Sequence, residues 1–405
     1  MKRYLVIIVV CICIILVGVY YNQYEVNDVI TFSDPHLEQA IREKISKMTG
    51  EIYTADLENI TVLEVISANI KDLSGIENLI NLEELDLSCN SIRDIRSISN
   101  LTNLVKLNLS FNDIHDINAF NNLKSLTQLN ISHNSIDDIS VLNDLSNLTQ
   151  LNIGHTLVKD ISPLTNLSNL SILNLSHCEY IDYANINVLG DLSNLDELYF
   201  YSYEINNINF LNNLTNLTKL SLYINEVNDV DVLGKLTKLN WLCLGFYEPI
   251  NLSFFETLTN LTELYLDYDG NADISPLSNL SNLQKLHLPG YLSRGKSKLK
   301  DISVLNDLKS LTELNLFNAE IIDISPLANL TKLTKLDLSD NQISDVSALG
   351  NLINLTELKL NNNKIYDISS LKKLGNLTCL LLNENQISDY SPTEKYYQNL
   401  EIKDF

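Results

Sequence analysis

A repeated 22-residue segment is the feature of this sequence that most constrains its fold. Units that begin with leucine recur fifteen times, from Leu57 to the unit that begins at Leu374. All are 22 residues long except the unit from Leu167, which has 25 residues, and the unit from Leu280, which has 28. In the clearest copy, 330–351, apolar residues occupy positions 1, 4, 7, 9, 14, 17 and 20, and position 12 is asparagine. A fixed period of this length predicts a solenoid in which each unit packs on its neighbours.

The two halves of a unit predict different local structures. Positions 6 to 10 alternate between polar and apolar residues, as in a short strand with one buried face, so successive strands should stack in parallel. The second half reads DISPL in residues 160–164, and several units have proline at position 19, which suits a tight turn or a short 3₁₀ helix. Because no unit can bury its leucines alone, the stack as a whole forms the core.

The consensus L-x-x-L-x-x-L-x-L-x-x-N-x-I-x-D-I-x-P-L is similar to that of leucine-rich repeats. With its 22-residue period and DISPL endings, the chain resembles bacterial internalins from about residue 30 to the C-terminus. The resemblance implies an α/β leucine-rich-repeat solenoid. Such a solenoid is a curved right-handed horseshoe with a parallel β-sheet on its concave face, 3₁₀ and turn segments on its convex face, and an N-terminal helical cap. The immunoglobulin-like module and the LPxTG segment that internalins commonly add do not appear in this sequence.

The two ends of the repeat region also have predicted structures. Residues 30–56 should form the helical cap, with Asp34 as N-cap, Pro35 at the first helical position and Gly50 as the stop. The fifteen repeats are expected over 57–395. We assign 396–405 to a C-terminal cap that contains one last partial strand.

Residues 1–24 predict export of the repeats. Lys2 and Arg3 precede eighteen uncharged, mostly apolar residues that end at Tyr21. That length reaches the threshold for a membrane span, and the small-residue pattern of a signal-peptidase site is poorly matched. We therefore favour a signal anchor over a cleaved signal peptide, with the repeats on the extracellular side of the membrane or secreted.

Composition and motifs exclude several classes of function. The net charge of −23 argues against nucleic acid as a partner, because phosphate neutralisation needs a basic stripe. Much of the acidity comes from aspartate at position 16, which can cap the following turn. No Ser/His/Asp set, phosphate-binding glycine loop or HExxH motif is visible. We predict a non-enzymatic protein that needs no cofactor.

Aromatic residues mark the candidate binding site. Positions 6, 8, 10, 11 and 13 should face outward, and they hold mostly small or polar residues near both ends of the repeat region. Between them the outward positions become aromatic at Tyr199, Tyr201, Tyr223, Trp241, Phe246, Tyr265, Tyr268 and Phe317. Exposed aromatic surface on a polar background is typical of binding sites, and Trp and Tyr are frequent anchors.

Two further changes accompany the aromatic residues. Position 13 is acidic at Glu179, Glu204, Glu226 and Glu248, a row of like charges whose repulsion a basic partner would relieve. Position 12, where asparagine should bond adjacent turns near both ends, becomes Thr156, Cys178 or tyrosine in the centre. Functional sites are where residues are expected to depart from the consensus of the repeat. Random sequence drift, combined with packing of aromatic residues in irregular units, would give the same pattern.

Other residues suggest weaker candidate sites. Position 11 of three successive units is histidine, at His133, His155 and His177, which suggests a metal site. Three side chains in a straight row, however, cannot converge tetrahedrally on zinc. The segment 267–273 has oxygen ligands at alternate positions, although its glycine is misplaced for an EF-hand. The insertion 289–300 is the densest basic run and is either a functional loop or a solvated excursion.

These features favour a recognition protein that binds a protein partner through the central concave face, as an adhesin does. The alternative through the same aromatic patch is carbohydrate or cell-wall glycan binding, because sugars also stack on Tyr and Trp faces. A purely structural envelope protein is a third possibility, in which the aromatic tract has no ligand.

Overall fold

The computed structural model describes residues 28–201, 205, 207–224, 229–246, 250–267, 273–290, 299 and 301–405. The chain divides into two compact units, Met1–Ile136 and Asp137–Phe405. Each is built from the same repeat.

The first unit combines a small cap with the earliest repeats. Its cap contains β1 (Val29–Ile30) and β2 (Ile52–Tyr53), which pair antiparallel, and the helices α1 (Pro35–Lys44) and α2 (Thr54–Leu57). The repeats supply parallel strands β3 (Val62–Glu64), β4 (Glu84–Asp86), β5 (Lys106–Asn108) and β6 (Gln128–Asn130). Short 3₁₀ helices follow the strands at Ile76–Asn78, Arg96–Ile98 and Asn118–Asn122.

Helix α1 begins where the sequence predicts and ends earlier. The Asp34 carboxylate accepts hydrogen bonds from the amides of His36 and Leu37, and its second oxygen accepts one from the Lys71 amide at 2.8 Å. The cap is therefore tied to the first repeat. The expected stop at Gly50 is wrong, because Ser46 takes a left-handed conformation with φ of 55°. The Ser46 and Lys47 amides donate back to carbonyls of the last turn, which closes the helix with a Schellman motif.

The second unit consists of a parallel sheet and a series of 3₁₀ helices, which alternate with the strands along the chain. Its strands are β7 (Gln150–Asn152), β8 (Ile172–Leu175), β9 (Glu197–Tyr201), β10 (Lys219–Ile224), β11 (Trp241–Phe246), β12 (Glu263–Asp267), β13 (Lys285–His287), β14 (Glu313–Asn315), β15 (Lys335–Asp337), β16 (Glu357–Lys359), β17 (Cys379–Leu381) and β18 (Ile402–Lys403). Its 3₁₀ helices are Ser140–Asp144, Ser162–Asn166, Tyr183–Asp191, Asn209–Asn213, Asp231–Lys235, Ser253–Thr257, Ser275–Asn279, Ser303–Asp307, Ser325–Asn329, Ser347–Asn351, Ser369–Lys373, Ser391–Thr393 and Tyr397–Asn399.

Equivalent repeat positions lie side by side across the sheet. Leu220 of β10, for example, pairs with Leu198 on one side and Leu242 on the other, and all three are fully buried. The predicted parallel leucine-rich-repeat solenoid with 3₁₀ segments is confirmed. The position-16 aspartates cap the turns as expected: in Asp160, for example, one carboxylate oxygen accepts from the Ser162 amide at 2.8 Å.

Position 12 forms the predicted ladder between turns. The Asn341 side chain accepts from the Ile321 amide at 2.9 Å and donates to the Leu316 carbonyl, also at 2.9 Å. Cys178 replaces asparagine at this position, and its thiol donates to the Ile153 carbonyl at 3.1 Å, so one bond of the ladder is retained.

The strands of the central repeats are longer than the others. Those near the ends of the repeat region have three residues, whereas β9 and β12 have five and β10 and β11 have six. These longer strands carry most of the predicted outward aromatic residues, from Tyr199 to Tyr265.

Candidate functional site

The predicted aromatic residues are distributed over the outward positions of four neighbouring strands. Tyr199 and Tyr201 lie on β9, Tyr223 on β10, Trp241 on β11 and Tyr265 on β12, and each is half-buried. Strand alternation explains their direction, because the leucines between them point into the core. Phe317 follows β14, two strands beyond Tyr265, and is also half-buried.

Four rings form a row that we call the aromatic strip: Tyr199, Trp241, Tyr265 and His287. The ring centroids are 6.1 Å apart for Tyr199 and Trp241, and 5.7 Å apart for Trp241 and Tyr265. Tyr199 and Trp241 are two strands apart and meet across β10, where Ser221 is in register with Tyr199. The small side chain of Ser221 leaves room for that approach.

His287 extends the aromatic strip and is not among the residues predicted from the sequence. Its ring centroid is 4.6 Å from that of Tyr265. The signal was present, because His287 occupies position 8 of the unit that follows Tyr265, and the two residues are in register on β13 and β12.

A second row, the ring stack, consists of His155, His177, Tyr201 and Tyr223. Centroid separations are 4.3 Å for His155 and His177, 4.4 Å for His177 and Tyr201, and 5.1 Å for Tyr201 and Tyr223. The ring of Tyr223 lies over Gly245 of β11. A β-carbon at Gly245 would lie 2.1 Å from Cδ1 of Tyr223, so only glycine fits beneath this ring.

The histidines at position 11 take part in stacking. His155 and His177 are stacked with an interplanar angle of 22°, and His133, in the first compact unit, stacks on Phe111 at 3.8 Å. Metal ligands use lone pairs in the ring plane, and rings stacked face to face direct these lone pairs side by side instead of toward one point. Among the described residues, no group of three or more His, Cys, Asp or Glu side chains is arranged to hold a metal ion.

Phe246 corrects one expectation about the binding surface. The repeat pattern predicts that Phe246 points outward at position 11, but it is only 1% exposed. In most units position 11 is a left-handed turn residue that points outward, as at His177 with φ of 57°. Strand β11 continues through this position, so strand alternation directs Phe246 into the core.

Paired charges surround the aromatic strip. The Tyr199 hydroxyl donates to Glu197 at 2.7 Å, and the other oxygen of Glu197 accepts from Lys219 at 2.8 Å. The same arrangement recurs three strands along, where Glu263 accepts from the Tyr265 hydroxyl at 3.3 Å and pairs with Lys285 at 3.0 Å.

His287, at the end of the aromatic strip, has a carboxylate partner as well. Its Nε2 atom is 2.9 Å from Glu313 Oε1. Each carboxylate beside the strip therefore has a partner within the protein.

The pKa values reflect this internal pairing. Burial alone would raise the pKa of Glu197, but the hydrogen bonds from Lys219 and Tyr199 outweigh it and hold the pKa below its usual value. Burial and the bond to Glu197 raise the pKa of Tyr199 far above its usual value. Burial also raises the pKa of Tyr223, whose hydroxyl lies 3.4 Å from the Cys243 sulfur.

Several predicted features lie outside the described residues. They are Tyr268, Glu204, Glu226 and Glu248 of the candidate surface, most of the insertion 289–300, Asp269 and Asn271 of the calcium candidate, and the apolar segment within 1–24. In the part of the chain that the structure describes, no helix combines the length and apolar character needed to cross a bilayer.

Family models identify the class of protein. One described as Leucine Rich repeats (2 copies) matches residues 102–144 and 331–373, and another described as Leucine rich repeat matches 57–114. The chain is therefore a leucine-rich-repeat protein. These models describe no catalytic domain, and no curated protein sequence matches the chain significantly.

Solved structures narrow the family. An internalin from Listeria monocytogenes, InlF, is 31% identical, with 92% of this chain and 96% of that chain covered and a TM-score of 0.56. With this identity over nearly the full length of both, the chain belongs to the internalin family.

More distant structures share the fold alone. The functional domain of InlJ from Listeria monocytogenes is 22% identical, with a TM-score of 0.67 over 90% of this chain and 77% of that one. The plant peptide hormone receptor RGFR1, in complex with RGF2, is also 22% identical, with a TM-score of 0.57 over 87% and 63%.

Proposed function

We propose that this chain is a non-enzymatic recognition protein, exported to the cell surface or secreted, that binds a protein partner on the outward face of strands β9 to β13. The observation that carries the proposal is the aromatic strip. Its rings stand side by side on the sheet of the second unit, where the equivalent outward positions of several other strands are polar, as at Asn152 and Asp337. Large aromatic surface at a water-exposed face is the usual composition of a binding hot spot.

The neighbouring ring stack enlarges this surface. Tyr201 and Tyr223 stand on the same strands as Tyr199 and Ser221, at the next outward position. The strip and the stack together extend over seven strands, from β7 to β13, or about 29 Å at the strand spacing of ~4.8 Å. A continuous surface of this width suits contact with a protein segment.

Two solved structures with the same fold support the proposal. The internalin InlF matches nearly the whole chain, and the plant peptide hormone receptor RGFR1, which shares the fold, forms a complex with RGF2. Export of the repeats to the extracellular side, with anchoring through residues 1–24, is part of the same proposal. It is supported by the positive residues and apolar run at the N-terminus.

Binding arrays test the proposal with matched variants. The wild type, a strip variant (Tyr199→Ser, Trp241→Ser, Tyr265→Ser) and a control variant (Tyr180→Ser, Tyr366→Ser, Tyr390→Ser) are applied to arrayed extracellular protein domains and arrayed glycans. The control removes three exposed tyrosines away from the strip. We expect wild type and control to bind the same protein domains, and the strip variant to lose about 30-fold or more in affinity, as hot-spot truncation does.

Two outcomes would count against the proposal. Unchanged binding by a folded strip variant would move the site elsewhere on the protein. Binding to glycans alone, lost in the strip variant, would favour the carbohydrate function on the same residues.

A further inference from the structure

The polar groups around the aromatic strip are already engaged within the protein. Glu197 accepts hydrogen bonds from both Tyr199 and Lys219, and Glu263 contacts both Tyr265 and Lys285. Carboxylates and tyrosine hydroxyls are the groups that a sugar or a charged side chain would use on such a surface. Here their principal hydrogen bonds are internal, and a ligand would have to break them.

Two of the acidic residues beside the strip are paired with lysines. Across β9 to β13 the outward positions of the described residues hold Glu197 and Glu263 against Lys219 and Lys285, each carboxylate within 3.0 Å of its lysine. A third acidic residue, Asp267, lies at position 10 of β12, in register with Gly245 and close enough to Tyr223 to interact with it electrostatically. Removing two compensated charges from water without new partners is unfavourable, so the exposed ring faces are the groups left for binding.

The rings are held in place before any ligand arrives. The hydroxyls of Tyr199 and Tyr265 are each tied to a carboxylate, and Trp241 is packed between their rings. Because these side chains are already ordered, they lose less conformational entropy when a ligand binds. Fixed rings and paired charges together form a rigid apolar platform.

From this arrangement we propose that the partner presents an uncharged segment rich in apolar or aromatic side chains, which lies across the strands on Tyr199, Trp241 and Tyr265. This inference rests on the proposed function and specifies the chemistry of its ligand. It differs from the expectation of a basic partner, which rested on the row Glu179, Glu204, Glu226 and Glu248. It also disfavours glycans, because the strip has few free hydrogen-bonding groups to offer them.

Selection from a random peptide library tests this chemistry. The strip spans about 19 Å, or about six extended residues, so peptides of about twelve residues are long enough to cross it. The probe is the library itself, displayed on phage and selected on full-length wild-type protein. We expect enrichment of Trp, Phe, Tyr and Leu with net charge near zero. We also expect less than about a threefold change in affinity between 0.05 and 1 M NaCl, where screening shortens the Debye length to about 3 Å.

A charge variant and the strip variant complete the design. In the variant Lys219→Gln, Lys285→Gln, two carboxylates lose their compensation, so selection should shift toward basic peptides whose affinity falls with salt. Enrichment of charged peptides on the wild type, or no shift with the lysine variant, would overturn the inference.

Different results of the same experiment would contradict the proposed function itself. It fails if the selected peptides, whatever their charge, bind the strip variant as tightly as the wild type. It also fails if selection yields no binder to the strip, and the inference then falls with it. A circular dichroism spectrum that matches the wild type shows that each variant is folded.

Discussion

Two phenylalanines at the same repeat position have opposite environments. Phe111 is 51% exposed in a left-handed turn, whereas Phe246 is 1% exposed because β11 continues through it. The repeat pattern predicts the first arrangement for both, since it assigns direction by position alone. Where a strand ends depends on packing against neighbouring strands, and a single position in the repeat does not contain that information.

The two positions predict different costs of truncation. Phe246→Ala should lower the free energy of unfolding by about 3–5 kcal/mol, the range for losing a buried phenylalanine. Phe111→Ala should lower it by about 1 kcal/mol or less, because only a surface stack is lost. Urea unfolding of both variants measures the difference. Equal losses would show that Phe246 does not lie in the core.

Gly245 predicts a second effect at the scale of one residue. In Gly245→Ala the new methyl group would meet Tyr223 Cδ1 at 2.1 Å, so the ring must move away from the Cys243 sulfur beneath its hydroxyl. Alkylation of Cys243, followed by mass spectrometry, should then be several-fold faster than in the wild type. Cys89 labelling in the same sample and Gly375→Ala, whose β-carbon meets nothing within 4 Å, are the controls. Unchanged labelling of Cys243 would contradict the placement of Tyr223.

Among the elements, the turns are predicted best and the helix and strand ends least well. Aspartate at position 16 and asparagine at position 12 act through bonds within one turn or between adjacent turns, so their spacing suffices. The Schellman end of α1 depends on Ser46 in a conformation that serine seldom adopts. Similarly, Tyr199 and Trp241 come into contact because the small side chain of Ser221 lies between them. The residue type at each repeat position, taken alone, does not predict such a contact between strands.

The asparagine ladder predicts a loss of stability specific to position 12. Asn341 is buried and bonds the Ile321 amide and the Leu316 carbonyl, both of which Asn341→Ala would leave without this partner. The free energy of unfolding should fall by about 2 kcal/mol or more. Exposed Asn351, at the end of a 3₁₀ helix, is the matched control, and its change to alanine should cost about 0.5 kcal/mol or less. Similar small losses for both would mean that the ladder contributes little.

For the whole molecule, the many aspartate caps predict sensitivity to acid. Hydrogen bonds to the following turn lower the pKa of Asp160, Asp301, Asp345 and Asp389. A carboxyl whose pKa is lower in the folded state stabilises the fold above its unfolded pKa of about 3.9, and that stabilisation disappears as the pH falls further. The free energy of unfolding should therefore decrease from pH 5 toward pH 3.

Replacing these four aspartates with asparagine gives the control. Asparagine keeps an acceptor oxygen for the turn but does not titrate, so the fourfold variant should show a shallower decrease between pH 5 and pH 3. Parallel pH curves for variant and wild type would contradict this origin of acid sensitivity.

The central claim is that the partner covers the aromatic strip, and Trp241 reports on it directly because it is the chain's sole tryptophan. The measurement is acrylamide quenching of Trp241 fluorescence, with the protein alone and then saturated with a peptide or protein domain found to bind it. If the partner lies on Tyr199, Trp241 and Tyr265, the quenching constant should fall several-fold on binding. An unchanged quenching constant at saturation would contradict the claim and place the binding site elsewhere.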